Sequence, residues 1–222
     1  MGGNSGTELK ITEDGSHTLY AASFDECYHS SHGAVQESEH IFIRRGLLAV
    51  KKKSLNVLEI GFGTGLNAFL TLLEAQNLGI SVHYTGVELF PVSVEQAMHL
   101  NYPDLISPRN KDLFQRLHAV PWGVEVEIEP GFRLLKINVD FQSFVPGKGF
   151  DVIYFDAFSP EKQPEMWTEE RFRLLYESCS EEAVLTTYCS KGVVRRALQA
   201  VGFKVERLPG PPGKREILRA CK

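Results

Sequence analysis

The pattern of hydrophobic and polar positions predicts strands that alternate with helices from residue 56 onward. Short apolar runs typical of buried strands occupy residues 56–61, 82–89, 151–155 and 183–188. Apolar residues recur at helical spacing in residues 66–76, 93–100, 111–118, 169–178 and 192–201. This alternation predicts an α/β fold, in which a mostly parallel sheet is covered by helices on both faces.

Two further pairs of segments predict antiparallel neighbours. Residues 204–208 and 215–220 flank a turn rich in Pro and Gly at 209–213, which predicts an antiparallel edge of the sheet. Residues 123–129 and 132–139 alternate on either side of Pro130-Gly131, which predicts a hairpin or a pair of neighbouring strands.

The segment before residue 55 has a different organisation. Residues 10–20 alternate around Asp14-Gly15, a strong hairpin signal, and the apolar spacing of residues 39–45 predicts a short helix. We therefore expect an N-terminal extension, residues 1–54, packed on a main domain, residues 55–222.

Composition places the chain among globular proteins. Its 222 residues are 43% hydrophobic and 23% charged. No apolar run approaches the roughly 18 residues of a membrane span, and residues 1–12 lack a signal-peptide pattern, so we expect a cytoplasmic protein with no membrane contact. The cysteines are scattered and form no C-x-x-C pair, so we expect reduced thiols and no metal: Cys27, Cys179, Cys189 and Cys221.

Positive charge is concentrated near the end of the sequence. The formal net charge is −4, but residues 191–222 contain nine Lys and Arg against two acids, which gives this segment +7. Either one face of an acidic body carries a positive field, as a phosphate-backbone binder needs, or the last elements expose solvated Lys and Arg.

A glycine-rich turn joins the first strand of the main domain to its first helix. Gly61, Gly63 and Gly65 let the backbone approach a ligand closely and leave amide N–H groups at a helix N-terminus. The spacing departs from the dinucleotide fingerprint, and no Lys-Ser or Lys-Thr of a P-loop follows. Glu59 precedes the glycines, where a carboxylate suits a cationic amino group better than a pyrophosphate.

A second acid, Glu88, ends the next strand, where a carboxylate can accept both hydroxyls of a ribose. Nicotinamide sites use an acid at this position too, so Glu88 alone does not decide the cofactor. The whole pattern, E-x-G-x-G-x-G with a strand-end acid, resembles class I S-adenosylmethionine-dependent methyltransferases, which have a Rossmann-like fold. Asp140 could bond the adenine amino group or be an exposed strand-end carboxylate. We expect these residues to bind the cofactor: Glu59, Gly61, Phe62, Gly63, Thr64, Gly65, Asn67, Glu88, Asp140, Asp156, Ala157 and Phe158.

Asp156 follows the strand at residues 151–155. Ligands of open parallel sheets bind outside the carboxyl ends of the strands, so Asp156 is expected to face the crevice. A nucleophilic amine must lose a proton around the time that it attacks a sulfonium methyl, and a carboxylate within reach can accept that proton or orient the nitrogen. Asp156 is our candidate catalytic residue. Phe158 and Pro160 could form a wall for a flat base, and Trp167 either packs in the core or stacks on substrate.

The segment at residues 156–168, D-A-F-S-P-E-K-Q-P-E-M-W-T, resembles the signature of the MnmC family of bacterial enzymes that modify the tRNA wobble uridine. Further blocks agree in order: F-D-E-C-Y at 24–28, E-S-E-H-I-F at 37–42, V-R-R-A-L at 194–198 and G-K-R-E-I-L at 213–218. The similarity spans nearly the whole chain, although residues 119–132 align poorly. Ala157 and Ser159 replace residues common in the family without removing a functional group.

The resemblance implies methyl transfer from S-adenosyl-L-methionine to the amine of 5-aminomethyl(-2-thio)uridine in tRNA, which gives the 5-methylaminomethyl form. Two-domain members of the family add an FAD-dependent oxidase that exposes this amine. Because 222 residues leave no room for that domain, we expect a separate oxidase, or another enzyme that forms the aminomethyl group, upstream of this chain.

A wobble base suits such a site because it lies in a single-stranded loop and can be splayed into a pocket. We expect the anticodon arm of tRNA to contact Arg195, Arg196, Lys214 and Arg215, and also a second cluster, Arg44, Arg45 and Lys51 to Lys53. The free amine, with a pKa of about 9 to 10 by comparison with lysine, is mostly protonated at neutral pH, so a base such as Asp156 is needed.

Two other functions compete with this hypothesis. The scaffold could serve a small-molecule amine methyltransferase or a polyamine aminopropyltransferase, although the positive segment is expected to repel a polyamine. Alternatively, the chain could be a non-catalytic subunit that only binds tRNA. His40, in the N-terminal extension, is a further candidate for the site.

Overall fold

The structure is a computed structural model that describes residues 6–222. Its strands are β1 (Thr7–Ile11), β2 (His17–Ala21), β3 (Glu26–Cys27), β4 (Ser54–Ile60), β5 (Ser81–Glu88), β6 (Glu125–Glu129), β7 (Phe132–Asn138), β8 (Phe150–Phe155), β9 (Cys179–Thr187), β10 (Lys204–Pro209) and β11 (Glu216–Cys221). Its α-helices are α1 (Ala34–Ser38), α2 (Leu66–Leu78), α3 (Val94–Met98), α4 (Tyr102–Ile106), α5 (Lys111–Ala119), α6 (Glu169–Ser178) and α7 (Gly192–Ala200). A π-helix spans Glu39–Arg44, and 3₁₀ turns span Leu47–Ala49, Pro108–Asn110 and Pro164–Trp167.

Eight strands form the central sheet, in the order β10-β11-β9-β8-β4-β5-β7-β6. The five strands β9, β8, β4, β5 and β7 are parallel to one another, whereas β11 pairs antiparallel with both β9 and β10. The predicted α/β fold with an antiparallel edge is therefore confirmed. β6 and β7 also pair antiparallel, so the two alternating segments around Pro130-Gly131 form a hairpin.

Side chains alternate between two cores along the central strands. Val57 of β4 and Tyr154 of β8 belong to one buried cluster, whereas their neighbours Leu58 and Phe155 belong to the cluster on the opposite face. A strand that is covered on both faces needs apolar residues at nearly every position, which explains its continuous apolar run. Burial on both faces fixes the register of these strands, and with it the position of the residues at their ends.

The chain changes direction across the sheet at β4. From β4 it passes through α2 to β5 on one side, whereas β8 pairs with the opposite edge of β4. Such a switch point leaves a crevice outside the carboxyl ends of the strands. Here those ends are Ile60, Glu88 and Phe155.

The N-terminal segment forms a three-stranded sheet, β1-β2-β3, followed by α1 and the π-helix. The predicted hairpin forms, with Ile11 opposite His17. Asp14 in its turn accepts hydrogen bonds from the backbone N–H groups of Ser16 and Gln36, both at 3.0 Å, which ties the turn to α1. Phe42 of the π-helix packs on Tyr154 with ring centroids 5.2 Å apart, so this segment is fixed to the main sheet.

Within residues 6–222, no helix is both long enough and apolar enough to cross a membrane. Several short elements lie where no element was predicted, including α1, α4 and β3. Each has five residues or fewer, too few for a hydrophobic period to appear.

Candidate active site

A cavity of about 300 Å³ lies at the carboxyl ends of the central strands. From the main domain it is lined by residues that follow β4, end β5, follow β7 and follow β8. Residues of the N-terminal segment line it as well. The predicted site residues on its wall are Gly61, Gly63, Glu88, Asp140, Asp156, Ala157, Phe158 and Lys214.

The glycine turn has a backbone that requires glycine. Gly61, Gly63 and Gly65 have φ values of 91°, 48° and 72°, which L-residues with a side chain rarely adopt. A Cβ atom at Gly61 would collide with the backbone oxygen of Asp156, and one at Gly63 would lie 2.9 Å from the ring of Tyr28. The turn therefore packs tightly between the end of β8 and the N-terminal segment.

Glu88 holds this turn from the end of β5. Its Oε2 accepts a hydrogen bond from the Gly63 N–H at 2.9 Å, and its Oε1 accepts one from the Phe90 N–H at 2.8 Å. Burial raises the pKa of this carboxyl, although the backbone N–H groups oppose the shift. Each carboxylate oxygen retains a further lone pair, so Glu88 can accept two ligand hydroxyls.

Asp156 belongs to a chain of buried polar side chains. Asn67 donates from Nδ2 to Glu59 Oε1 at 2.8 Å and to Asp156 Oδ2 at 2.9 Å, and the Tyr84 hydroxyl donates to Glu59 Oε2 at 2.7 Å. Because both contacts are with carboxylates, they fix the orientation of the Asn67 amide. The chain holds the Asp156 carboxylate in place at the wall of the cavity.

Glu59 does not occupy its predicted position against a ligand. Its exposed fraction is 0%, and it is not among the residues that line the cavity. Burial raises the pKa of Glu59 well above its ordinary value. Its role in the structure is to hold Asn67. The predicted contacts Phe62, Thr64, Gly65 and Asn67 also lie behind the wall rather than on it.

Asp156 is itself perturbed. Burial, and then the negative charge of Glu37, raise the pKa of Asp156 to about 8, whereas the bond from Asn67 and the charge of Lys214 oppose the shift. A carboxyl with a pKa near neutrality, at the wall of a cavity, is suited to proton transfer.

Aromatic rings form one wall of the cavity. Phe158 stacks on Phe24 with centroids 4.4 Å apart and meets the edge of Tyr28 at 5.1 Å. Trp167 is 4% exposed, packs on Phe155, and donates from Nε1 to the Phe158 carbonyl at 2.9 Å. Trp167 therefore packs in the core and supports Phe158 rather than contacting substrate.

Pro160 and His40 also lie elsewhere than proposed. Pro160 is absent from the cavity wall, and the hydroxyl of the preceding Ser159 donates to Glu26 Oε2 at 2.8 Å. His40 lies outside the cavity as well, and its Nε2 is hydrogen-bonded to the carbonyl oxygen of Pro209 at 2.8 Å. Neither residue therefore lines the cavity, and a contact of either with the substrate stays a prediction.

The N-terminal segment supplies site residues that the sequence analysis did not assign. Tyr28, His29 and Glu37 line the cavity, and His29 Nε2 is hydrogen-bonded to Thr64 Oγ1 at 2.7 Å. Burial lowers the pKa of His29 to about 4, so this histidine is neutral. The signal for these residues was present, because they belong to or adjoin the F-D-E-C-Y and E-S-E-H-I-F blocks.

The basic residues divide into two groups. Lys214 reaches the cavity, where its Nζ lies 3.1 Å from Glu37 Oε1 and 4.7 Å from the ring centroid of Tyr188. Arg195 and Arg196 lie in the first turns of α7, which follows the carboxyl end of β9. Arg215 lies in the turn before β11. The start of β11 is beside the carboxyl end of β9, because Leu218 pairs with Thr187. None of these three arginines lines the cavity.

The Lys51 to Lys53 cluster lies at the amino ends of the strands, on the side of the sheet opposite the cavity. It precedes β4, whose seven residues span about 20 Å at roughly 3.3 Å each. Lys52 donates to Asp151 near the start of β8 at 2.5 Å. These three lysines therefore lie at the other end of β4 from the cavity, and the contact of both basic clusters with the anticodon arm stays a prediction.

The cavity is acidic, whereas the positive segment at residues 191–222 was expected to repel a polyamine. Among its described lining residues the carboxyl groups are Glu26, Glu37, Glu88, Asp140, Asp156 and Glu165, and the only Lys or Arg is Lys214. Such a wall attracts organic cations. The positive segment at the end of the sequence thus does not exclude a polyamine from the cavity.

This fold and this site define a cofactor-dependent transferase of the Rossmann-like class. The model of a family described as S-adenosyl-L-methionine-dependent methyltransferase matches residues 110–222, and the chain belongs to that family. Its cofactor is therefore S-adenosyl-L-methionine.

The names of individual relatives indicate a particular family of tRNA-modifying enzymes. The chain is 32% identical over 212 residues to the "tRNA 5-methylaminomethyl-2-thiouridine biosynthesis bifunctional protein MnmC" of Pseudomonas fluorescens, covering 88% of this chain and 32% of that protein. It is 30% identical to the MnmC of Idiomarina loihiensis, covering 97% of this chain and 38% of that protein. The chain thus spans about a third of the length of these curated relatives.

Solved structures agree with the fold. MnmC2 from Aquifex aeolicus is 29% identical and superimposes with a TM-score of 0.80 over 98% of this chain and 71% of that one. A spermidine synthase from Thermotoga maritima, 14% identical, has a TM-score of 0.60 over 98% of this chain and 72% of that one. The second likeness concerns the fold alone.

Proposed function

We propose that this chain transfers a methyl group from S-adenosyl-L-methionine to the primary amine of 5-aminomethyl(-2-thio)uridine at the tRNA wobble position. The observation that carries the proposal is the position of Asp156, held by Asn67 at the wall of an acidic cavity. An amine that must lose a proton to react needs a group of this kind. The names of the MnmC relatives support the choice of tRNA and of this modified uridine.

The cavity fits the cofactor. Glu88 has free lone pairs for the two ribose hydroxyls, Gly61 and Gly63 bring the backbone of the turn to the cavity wall, and the acidic wall suits a cation. We assign the binding of the cofactor to Gly61, Gly63, Glu88 and Asp140, with Ala157 and Phe158 at the reacting end. When bound, the cofactor supplies an electrophilic methyl group on a positively charged sulfur.

Asp156 prepares the amine. In the free protein at pH 7 this carboxyl is mostly protonated, because its pKa is raised to about 8. The arrival of positive charge in the cavity favours the carboxylate, so Asp156 becomes an acceptor when its ligands bind. It then accepts a proton from the substrate ammonium and leaves the nitrogen lone pair free, while Asn67 prevents the carboxylate from rotating away.

The rest of the substrate can be held by groups at the same edge. Phe158, backed by Phe24 and edged by Tyr28, offers a face on which a splayed uracil ring can stack. Arg195, Arg196 and Arg215 have the charge to bind phosphates of the anticodon arm. A separate oxidase, or another enzyme that exposes the amine, would act before this chain. A tRNA substrate also implies a cytoplasmic location.

A second candidate function is methyl or aminopropyl transfer to a small soluble amine. The acidic wall favours it, because a polyamine is also a cation. The three arginines outside the cavity have no role in that reaction, and this is why we prefer the tRNA substrate.

The test is methyl transfer from labelled S-adenosyl-L-methionine to tRNA from cells that accumulate 5-aminomethyl-2-thiouridine. After digestion we expect label in 5-methylaminomethyl-2-thiouridine, and none with spermidine or putrescine as acceptor. Label in the polyamines alone would establish the second function. Binding of both cofactor and tRNA without transfer to any acceptor would favour a non-catalytic subunit.

A further inference from the structure

Glu37 is a second carboxylate beside Asp156, and it comes from a different part of the chain. It lies in α1 of the N-terminal segment, is 7% exposed, and lines the same cavity. The negative charge of Glu37 contributes to the raised pKa of Asp156, so the two carboxyl groups lie close enough to interact. Nothing in the function described above uses Glu37.

Its two oxygens have different surroundings. Oε2 accepts a hydrogen bond from the Ser30 N–H at 2.9 Å, which fixes the side chain. Oε1 lies 3.1 Å from Lys214 Nζ, close enough for an ion pair, yet it is buried and accepts no hydrogen bond from residues 6–222. A carboxylate oxygen whose one partner is an ammonium keeps a lone pair that can accept a hydrogen bond from a ligand.

The contact with Lys214 also indicates what this oxygen can bind. Lys214 carries a primary alkylammonium, and its Nζ lies over the face of Tyr188 as well as beside Glu37. A carboxylate and an aromatic face are the groups that bind such a cation. Once Asp156 is ionised, two carboxylates, Glu37 and Asp156, lie near one ammonium, so the pair then has capacity for a second monovalent cation.

We propose that Glu37 is a second amine-binding carboxylate, which holds the substrate ammonium beside Asp156 and selects the aminated wobble uridine over the unmodified one. The inference rests on the proposed function, since it assigns the recognition of that same substrate. Asp156 then takes the proton, whereas Glu37 keeps the nitrogen in the cavity. Because Glu37 belongs to the N-terminal segment, substrate selection would depend on a segment outside the main sheet.

The experiment measures binding of two tRNAs that differ only at the wobble position, one with 5-aminomethyl-2-thiouridine and one with unmodified uridine. The full chain is used, with S-adenosylhomocysteine present so that no turnover occurs, and fluorescence anisotropy gives each Kd. We expect wild-type protein to bind the aminated tRNA about tenfold or more tightly, the range of one charge-assisted hydrogen bond. Glu37→Gln, which can still accept from Ser30, should abolish this preference by weakening binding of the aminated tRNA alone.

Two further variants control the result. Glu39→Gln makes the same chemical change two residues away, at a side chain that pairs with Arg44 outside the cavity, and should keep the preference. Glu37→Asp keeps the charge and should retain a preference of at least threefold. Calorimetric binding of S-adenosyl-L-methionine verifies that each variant is folded.

The outcomes separate the two proposals. A Glu37→Gln protein that keeps the wild-type preference would overturn the role of Glu37, as would a wild-type protein that methylates aminated tRNA without binding it more tightly than the unmodified tRNA. If Glu37→Gln does not fold, loss of preference in a folded Glu37→Asp protein to below threefold would count against the role. A wild-type protein that neither prefers nor methylates aminated tRNA would remove the proposed function itself.

Discussion

At the scale of single residues, Asp156 is where the proposed chemistry is concentrated. Asp156→Asn preserves the shape of the side chain and an oxygen that can accept from Asn67, but it removes the ability to take a proton. Positioned general bases contribute about 10² to 10⁴ in rate, so we expect kcat for methyl transfer to fall by at least about 10². Affinity for S-adenosyl-L-methionine, measured by calorimetry, should change by less than about fivefold, and kcat is measured with labelled cofactor.

An appropriate control is Asp112→Asn, because Asp112 is an exposed acid in the first turn of α5. This variant should methylate at the wild-type rate. If Asp156→Asn also retained wild-type turnover, Asp156 would not be the base.

The same residue makes stability depend on pH. Its folded-state pKa of about 8 exceeds the value near 3.9 of an unfolded chain, so between these values the folded protein retains a proton that the unfolded chain has released. The contribution of Asp156 to the free energy of unfolding is therefore greatest below pH 4, and it decreases as the pH rises towards 8. Asp156→Asn, which does not titrate, should therefore unfold at a higher temperature than wild type at pH 8, by a smaller margin at pH 5, and at a similar temperature below pH 4.

Calorimetric melting of both proteins across this range provides the measurement. In a chain of this length, each kcal/mol corresponds to about 2 to 4 °C in Tm. The contribution of Lys136, whose pKa is lowered to about 8 by burial, is common to both proteins and cancels in the difference. Melting curves with the same pH dependence in the two proteins would show that Asp156 does not titrate in this window.

At the scale of elements, the glycine turn between β4 and α2 contacts the end of β5, the end of β8 and the N-terminal segment. Gly63 has a φ of 48°, and a Cβ there would lie 2.9 Å from the Tyr28 ring, so Gly63→Ala must displace either the turn or Tyr28. We expect a loss of about 1 to 2 kcal/mol in stability, by urea unfolding, from the left-handed backbone alone. Affinity for S-adenosyl-L-methionine should fall about tenfold or more, since Gly63 lines the cavity.

Gly147 offers a matched control for this substitution. A Cβ at Gly147 would meet no atom within 4 Å, and its backbone is not in the left-handed region. Gly147→Ala should therefore leave both stability and cofactor affinity unchanged. Equal effects of the two substitutions would mean that the contact between the turn and Tyr28 is not what matters.

The elements that could be predicted from sequence are those with a strong local signal. Strands β4, β5 and β8 are buried on both faces, so their apolar runs stand out, and α2 begins directly after the glycines. The π-helix was predicted only as a short helix, because its wider turn depends on hydrogen bonding that residue spacing does not record. Residues at strand ends, such as Glu88 and Asp156, were found because parallel strands bring their carboxyl ends together.

At the scale of the whole molecule, the cavity depends on contacts between residues far apart in sequence. Tyr28 packs on Gly63, His29 bonds Thr64, and Glu37 faces Lys214. The F-D-E-C-Y and E-S-E-H-I-F blocks mark these residues of the N-terminal segment, but no periodicity specifies which residues they contact, so their place in the wall could not be derived from the pattern. The same limit explains Glu59, which was placed correctly at the end of β4 but is separated from the cavity by Asn67.

The distribution of basic residues over the molecule leads to the last prediction. Arg195, Arg196 and Arg215 lie at the edge of the sheet that holds the cavity, whereas Lys51 and Lys53 lie at the opposite edge. A tRNA whose wobble base enters the cavity must place neighbouring phosphates near the arginines, and each cation that contacts a phosphate contributes about one counterion to the salt dependence of binding.

Replacing the three arginines by Ala should weaken tRNA binding and reduce the slope of log Kd against log salt by about two to three. The matched Lys51→Ala, Lys53→Ala protein should bind tRNA as wild type does, with the same slope, when both are measured by filter binding over a range of salt concentrations. If the lysine variant lost affinity and the arginine variant did not, the RNA would approach from the other edge, and the cavity at the ends of β4, β5 and β8 could not be where its wobble base is methylated.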